Sequence, residues 1–223
     1  MGNIWRAQFD GNPYIGLFAR ASEDTVLVPR SASQKMLNGI ASLGCKNVVK
    51  ASVDGSPYLG IYTAMNSNGI IVPKMLTPEE TLEVKGLGLA VHVMKNGKFS
   101  ACGNNVACND HGALVNPDIP YDQAKAIANC LGVELAQFPL AGYKCTGMAC
   151  IASNKGWLAH NRINEEEMAK LESLFNCKGI NGTVNSGTAL VGAGVAATTK
   201  GAAIGEASSG FEIGRAVQAF DLA

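Results

Sequence analysis

Residues 60–77 read GIYTAMNSNGIIVPKMLT and decide the fold, because the pattern of this stretch occurs five times along the chain. Its first glycine recurs at steps of 44, 43, 44 and 45 residues. Self-similarity at a period of about 20 to 50 residues is typical of repeat architectures. The sequence therefore predicts five equivalent units, each marked by one landmark glycine: Gly16, Gly60, Gly103, Gly147 and Gly192.

The five units account for nearly the whole chain of 223 residues. This leaves no room for a linker or a second domain, and the length is ordinary for one closed domain. The apolar content of 47% is enough for a sizeable core. We therefore predict a single domain over residues 1–223, with repeats at approximately 3–46, 47–88, 89–132, 133–176 and 177–222.

Each repeat is predicted to begin with a strand that ends in a tight turn. The turns Asp10-Gly11, Asp54-Gly55 and Asn96-Gly97 are strong hairpin signals, because both central residues of such a turn need positive φ. The landmark glycine is expected inside the second strand, where a missing side chain allows close approach of another backbone. The third strand is the most apolar of each repeat.

A helix is predicted after the third strand, and its start signals fall in register. Ser33, Thr77, Asn164 and Ser209 are good N-caps, and in the last three cases a glutamate follows three residues later. That spacing predicts a capping box. In repeat three the cap position is Pro120, so the helix is expected to begin at Tyr121 or Asp122.

Three strands and one helix per repeat distinguish this unit from the four-stranded blade of a β-propeller. An open solenoid needs distinctive polar caps on its terminal repeats, and repeats one and five show none. We therefore predict an α/β fold: a closed five-bladed α/β propeller of five ~44-residue repeats, with strands inside and helices outside.

Charge and hydropathy exclude several classes of partner. Eighteen basic residues balance eighteen acidic ones, and charged residues make up only 16% of the chain. No bulk field exists to attract nucleic acid, so we expect no DNA partner and only limited local contact with RNA. The start of the chain lacks the features of a signal peptide, and no apolar run is long enough to span a bilayer. We expect a cytoplasmic protein with no membrane partner.

Seven cysteines occur without any C-x-x-C pair, which argues against a disulfide framework and against a zinc site. We expect no metal and no cofactor. The segment CNDHG, residues 108–112, is the one stretch that looks catalytic, since a thiol, a carboxylate and an imidazole lie close together. It aligns with the turn at residues 66–69, so we favour a turn over a Cys-His nucleophile. His92 and His160 are interpreted as structural.

Four sequence segments, taken together, are specific enough to indicate a protein family. The chain resembles the translation initiation factor 6 family of archaea and eukaryotes over its whole length, through NSNGIIVPK at 66–74, CNDHGALVNPD at 108–118, SNKGWLAH at 153–160 and GTVNSGTALVGAGVAATTKGAAIG at 182–205. The resemblance implies the closed ring called the pentein. It also implies a monomeric ribosome anti-association factor without chemistry. Such a factor binds the large ribosomal subunit, on a ribosomal-protein surface near the sarcin-ricin loop, and sterically prevents joining with the small subunit.

The residues that follow the landmark glycines should form a circle at one height of a symmetric ring. A charge-depleted composition is typical of the centre of a protein interface, and this circle contains no charge. We predict that it forms the ribosome-binding surface, and the alternative is that it faces the core. The resemblance points to the same end of the ring. The predicted binding residues are Leu17, Ile61, Asn104, Asn105, Met148, Leu190 and Ala193.

An enzyme is the alternative function, because pentein rings also include guanidine-modifying hydrolases and transferases. The resemblance implies that such enzymes carry a cysteine nucleophile in the last repeat and a histidine base. Here no cysteine follows Cys177 and no histidine follows His160. The fold alone does not decide between the two functions, but the missing nucleophile favours the non-enzymatic one.

Overall fold

Five separate three-stranded sheets form the body of the protein in the computed structural model, which describes residues 3–222. The strands are β1 (Asn3–Ala7), β2 (Arg20–Ala21), β3 (Thr25–Pro29), β4 (Asn47–Ala51), β5 (Ala64–Met65), β6 (Gly69–Pro73), β7 (Ala90–Met94), β8 (Val106–Cys108), β9 (Gly112–Val115), β10 (Glu134–Ala136), β11 (Cys150–Ala152), β12 (Trp157–His160), β13 (Gly179–Gly182), β14 (Val195–Ala197) and β15 (Gly201–Gly205).

The helices are of two kinds, single turns and longer segments. They are α1 (Ile15–Phe18), α2 (Gln34–Ile40), α3 (Leu59–Tyr62), α4 (Pro78–Gly86), α5 (Cys102–Asn105), α6 (Tyr121–Leu131), α7 (Thr146–Ala149), α8 (Glu165–Phe175) and α9 (Gly210–Ala219). Short 3-10 turns cover Ala41–Leu43, Gly97–Phe99 and Val191–Ala193. None of the helices between residues 3 and 222 combines the length and hydropathy that crossing a bilayer requires.

Each sheet combines strands from two neighbouring repeats. The central strand pairs antiparallel with the preceding strand and parallel with the first strand of the next repeat, as β3 does with β2 and β4. In the fifth sheet the parallel partner of β15 is β1, from Asn3 opposite Gly201 to Ala7 opposite Gly205. The first described strand therefore completes the last sheet, and repeats one and five meet there.

The predicted five-fold α/β architecture is confirmed. The five apolar segments predicted as third strands are the buried central strands of the five sheets. The longer helices carry strongly exposed side chains such as Leu82 and Phe211, in agreement with their predicted place outside the strands. The repeat boundaries stay a prediction, because the sheets cross them.

The landmark glycines do not lie in strands, and that prediction is wrong. Gly16, Gly60, Gly103 and Gly147 lie in the one-turn helices α1, α3, α5 and α7, and Gly192 lies in the 3-10 turn Val191–Ala193. The burial of Ile15 and Phe18, three residues apart, shows the reason. This apolar spacing is helical, and the β-rich segments on either side concealed it.

The predicted close backbone approach is confirmed at these same glycines. A Cβ atom on Gly60 would lie 1.8 Å from the carbonyl oxygen of Gly16, and one on Gly103 would lie 2.0 Å from that of Gly60. The same contact joins Gly147 to Gly103, Gly192 to Gly147, and Gly16 to Gly192. The contacts form a closed cycle through all five repeats, so the one-turn helices meet around a common axis.

The hairpin prediction is confirmed at Asp10-Gly11 and Asp54-Gly55, where φ is 48° and 81° in the first turn and 52° and 72° in the second. It is wrong at Asn96-Gly97. There φ of Asn96 is −81°, and its side-chain oxygen accepts a hydrogen bond from the N–H of Lys98. Asparagine side chains compete with the backbone for local donors, and this one caps a 3-10 turn.

The predicted helix caps are confirmed. Thr77, Asn164 and Ser209 each form a complete capping box with the glutamate three residues later. Ser33 caps α2 through the N–H of Met36. Repeat three begins its helix at Tyr121, one residue past the proline. The caps fix where each outer helix starts relative to its sheet.

We expect the capping-box glutamates to make the fold sensitive to acid. Burial alone would raise the pKa of Glu80, but hydrogen bonds from Ser52, Gly55, Thr77 and Asp54 outweigh it and lower the pKa to about 2. Burial likewise opposes the hydrogen bonds on Glu212, whose pKa also falls to about 2. A depressed carboxyl pKa stabilises the folded state above the ordinary value of 4.5.

That contribution, about 3 kcal/mol per group at neutral pH, should be lost as pH falls from 4.5 towards 2. Urea unfolding across this range measures the loss, and the Glu80→Gln variant should lose less free energy of unfolding than the parent over the same interval. Equal losses in the variant and the parent would show that the Glu80 contacts do not carry the effect.

Ring closure predicts that the terminal repeats open no more easily than the middle one. In an open array the end repeats have one neighbour each and unfold first, whereas here β1 pairs with β15. Native-state hydrogen exchange measures this opening, segment by segment. Amide protection that is much weaker in β1 and β15 than in β9 would contradict closure.

Candidate functional site

The one-turn helices build a surface at one end of the axis. Helix α1 contacts α3, α3 contacts α5, α5 contacts α7, and the 3-10 turn Val191–Ala193 contacts both α7 and α1. The residues one before and two after each landmark glycine mostly point into the protein, as Ile15 and Phe18 do. The residues two before and one after the glycine lie three apart and therefore share the opposite side of the turn.

We call this surface the front face and define it by ten residues. None of them carries a formal charge, and most are apolar or aromatic. They are Tyr14, Tyr58, Ala101, Cys145 and Leu190 before the glycines, and Leu17, Ile61, Asn104, Met148 and Ala193 after them. A patch with this composition resembles the centre of a protein interface.

The predicted binding residues lie on or just below this face. Leu17, Ile61, Asn104, Ala193 and Leu190 are half-buried, so they are neither core residues nor fully exposed. Met148 is 6% exposed and Asn105 is 8% exposed. Five of the seven predicted residues are therefore accessible on this face, Met148 belongs to it but is almost completely buried, and Asn105 lies beneath it.

Asn105 holds the helix that carries Asn104. Its side-chain amide donates to the carbonyl of Ala101 at 2.8 Å, and its side-chain oxygen accepts from Nδ2 of Asn116 at 2.7 Å. Its backbone carbonyl accepts from the hydroxyl of Thr146 in the next repeat at 2.8 Å. These bonds connect α5 to α7 and fix the height of Asn104 on the face.

Arg20 lies below the centre of the face, and sequence reasoning missed it. Its guanidinium donates to the carbonyls of Gly60 and Gly103, which belong to the cycle of landmark glycines. Burial lowers the pKa of Arg20, because a charged group loses solvation in the interior. The four equivalent residues are apolar: Ala64, Ala107, Ile151 and Ala196. A single basic residue among four apolar ones at the same repeat position was the signal available in the sequence.

Two tyrosines on the face were also missed. The ring of Tyr58 stacks on Phe18 with centroids 5.1 Å apart, and the hydroxyl of Tyr14 lies 3.3 Å from that of Thr188. Tyrosine is enriched at interfaces because it combines apolar area with a polar end. Both residues occupy the position two before a landmark glycine, which helical spacing would have placed on the face.

The opposite end of the axis is polar and closed by side chains. These come from the turns after the second strands, seven residues past each landmark glycine. Glu23 accepts from the N–H and hydroxyl of Thr199 at 2.9 and 2.6 Å, and from the N–H of Asn154 at 3.2 Å. Asp110 accepts from Ser67 and from Nδ2 of Asn154. The network connects all five repeats, and the two ends of the ring therefore differ in chemistry.

The CNDHG segment forms a turn, as predicted. The side-chain oxygen of Asn109 accepts from the N–H groups of His111 and Gly112 at 2.9 and 3.0 Å. The Cys108 thiol lies against the carbonyl of Met65, and burial raises its pKa to about 12. A thiol with this pKa is a poor nucleophile because little thiolate forms at neutral pH.

The other candidate groups for chemistry are also held in structural contacts. Burial raises the pKa of Cys177, the cysteine of the last repeat, to about 11. Nδ1 of the buried His160 accepts from the N–H of Arg162, and its ring packs on Tyr143. Burial lowers the pKa of His92, which is half-buried in β7. Across residues 3–222, no three His, Cys, Asp or Glu side chains come together as a metal site requires.

Comparison with known proteins relates this architecture to one family. The family model described as the eIF-6 family matches residues 4–219, nearly the whole chain. The chain belongs to the eIF-6 family. The resemblance noted from the motifs is thereby confirmed, and so is the pentein-like α/β fold that it implied.

Several archaeal relatives of this eIF-6 family chain carry the name translation initiation factor 6. The protein of Methanoculleus marisnigri is 36% identical over 94% of each chain. That of Pyrococcus abyssi is 32% identical over 99% of each, and that of Haloquadratum walsbyi is 32% identical over 94% of this chain and 93% of the relative. These names are those of translation factors, and none indicates a catalytic activity.

Proposed function

We propose that this protein is a ribosome anti-association factor that binds the large ribosomal subunit through its front face. The observation that carries the proposal is the uncharged front face, on a chain whose relatives are translation initiation factors. A rigid ring docked on the subunit-joining side of the large subunit prevents joining by occupying space. No bond is made or broken in this activity.

The chemistry of the front face favours a ribosomal-protein surface as its main contact. An uncharged, partly aromatic patch has no groups that neutralise phosphates, so contact with ribosomal RNA is limited and local. Family resemblance supports a position near the sarcin-ricin loop. We propose that the factor acts in the cytoplasm as a monomer.

Co-sedimentation with purified ribosomal subunits tests the binding directly. The protein should sediment with large subunits and remain at the top of the gradient with small ones. Sedimentation with small subunits alone, or with neither, would overturn the proposal.

Binding to the large subunit should depend only weakly on salt. Affinity that rests on phosphate neutralisation falls steeply with salt because counterions are released, but the chain has zero formal net charge and an uncharged front face. The measurement is affinity between about 50 and 200 mM salt, where six or more phosphate contacts cost on the order of a thousandfold. A loss of that size would contradict docking on protein.

A further inference from the structure

The tight turn of repeat one differs from its counterparts in one contact. In repeat two, the Glu80 carboxylate accepts hydrogen bonds from both turn N–H groups, that of Asp54 at 2.8 Å and that of Gly55 at 3.0 Å. In repeat five, Glu212 accepts in the same way from the N–H groups of Ser186 and Gly187. In repeat four, Glu167 accepts from one turn N–H group, that of Ala141. The fold thus places a carboxylate at this turn in three repeats.

Repeat one has the turn without the carboxylate. Met36 stands twenty residues after its landmark glycine, the position that Glu80 occupies in repeat two. The backbone of Asp10-Gly11 has the same left-handed conformation as that of Asp54-Gly55. Within the described part of the chain, the N–H groups of Asp10 and Gly11 have no hydrogen-bond acceptor. Two solvent-exposed donors therefore have no protein acceptor at a place where the fold elsewhere binds a carboxylate.

A cavity of about 150 Å³ lies beside these donors. The guanidinium of Arg6 lines it and donates to the backbone carbonyls of Glu206 and Ser208 at 2.6 and 3.0 Å. Lys35 also lines it, and neither cation forms an ion pair with any side chain of residues 3–222. The cavity therefore combines two backbone donors with two side-chain cations that have no anionic partner.

Two acidic side chains also line this cavity, Asp10 and Glu206. An acidic residue at the turn does not prevent a carboxylate from binding there, because Asp54 occupies the same turn position beside Glu80. Glu206 is exposed, so its charge is screened by solvent more than that of a buried group. The positive charges of Arg6 and Lys35 balance the negative charges of these two acids. The turn N–H groups are then the donors that would orient a bound carboxylate.

We propose that the repeat-one cavity is a carboxylate-binding site. The two carboxylate oxygens accept from the N–H groups of Asp10 and Gly11, as those of Glu80 do in repeat two, while Arg6 and Lys35 supply positive charge. The turn lies three residues before Tyr14, a residue of the front face, and leads into α1. Its occupant is an acidic side chain of the protein on which the front face docks. This identification of the occupant rests on the proposed function, whereas the binding of a carboxylate does not.

Amide resonances of ¹⁵N-labelled protein, titrated with sodium acetate, test the site without the ribosome. The Asp10 and Gly11 resonances should shift saturably in the millimolar range, as expected for so small a ligand. Those of Asp54 and Gly55 should not, because Glu80 already occupies their site. Absence of a saturable shift at Asp10 and Gly11 would show that the repeat-one cavity does not bind a carboxylate. Shifts with inorganic phosphate but none with acetate would overturn its assignment to carboxylates.

Two variants separate binding from folding. Met36→Glu supplies the carboxylate internally and should abolish the acetate shifts; unchanged shifts in the folded variant would overturn the proposal. Because Met36 is only 3% exposed, Lys35→Ala, at an exposed position, provides a second test that does not touch the core. It should weaken acetate binding severalfold, and undiminished affinity would contradict the role of the cation.

The identity of the occupant is tested on large subunits. Met36→Glu should weaken binding of the large subunit about tenfold, or about 1.4 kcal/mol, because its own carboxylate competes with that of the partner. If Met36→Glu binds large subunits with unchanged affinity, the occupant is not an acidic side chain of the docking partner. Failure of wild-type protein to bind large subunits would instead refute the proposed function, and the acetate site would stand.

Discussion

Gly60→Ala is expected to destabilise the protein by about 3 kcal/mol or more, a size that belongs to severe overpacking. The new Cβ would lie 1.8 Å from the carbonyl oxygen of Gly16 and 2.8 Å from the carbonyl carbon. Both are backbone atoms of the central cycle, so no side chain can move aside. Relief requires the one-turn helices to separate, which breaks contacts around the whole ring.

Gly214→Ala is the matched control, because the same change there meets open space. Gly214 lies inside α9, and no atom outside its own helix lies within 4 Å of the added Cβ. Alanine in a helix interior is favoured over glycine by about 0.5–1 kcal/mol, so this variant should be more stable than the parent. Chemical denaturation measures both. A Gly60→Ala variant as stable as Gly214→Ala would contradict a tightly packed axis.

Asn104→Arg is expected to abolish binding to the large subunit, with a loss of about a hundredfold or more, or about 2.7 kcal/mol. Asn104 is a half-buried residue of the uncharged front face. An arginine there would be desolvated on docking without a partner, and an uncompensated buried charge costs several kcal/mol. The free protein should lose far less stability than an unpaired buried charge would cost, because a long arginine side chain at a half-buried position can extend its charge into solvent.

Leu82→Arg controls for the charge itself. Leu82 is 70% exposed on α4, away from the front face, so the same new charge should leave affinity unchanged. Affinity is measured by sedimentation with large subunits, and stability by urea unfolding. If Asn104→Arg folds normally and binds as tightly as Leu82→Arg, the front face is not the docking surface.

The positions of the helix starts, tight turns and central strands within each repeat could be predicted from the sequence, because the signals for them are local. A capping box needs only residues three apart, such as Thr77 and Glu80, and the tight turn needs only residues that tolerate positive φ. Repetition then reinforced each weak signal. The central strands were predictable for the same reason, since their apolar runs are continuous and lie at a constant distance from the landmark glycines.

The features that sequence reasoning missed depend on contacts between repeats. The glycine of α3 is there because the carbonyl of Gly16 touches it across the axis, and four residues of helix are too few to show a period. Arg20 is buried by elements forty and more residues away, whose carbonyls its guanidinium reaches. The two tyrosines of the front face were missed because their segments were predicted as strands. In a strand, successive residues point to opposite faces, so residues three apart do not share a face as they do in a helix.

The proposed function requires that the front face docks on the large subunit and keeps the small subunit away. A joining assay tests it most directly: purified subunits are mixed under conditions that favour association, with increasing protein, and free and joined particles are separated on a gradient. We predict that wild-type protein holds large subunits free and sediments with them, while Asn104→Arg does neither. Undiminished formation of joined ribosomes at saturating wild-type protein, or joining blocked equally well by Asn104→Arg, would contradict docking through the front face.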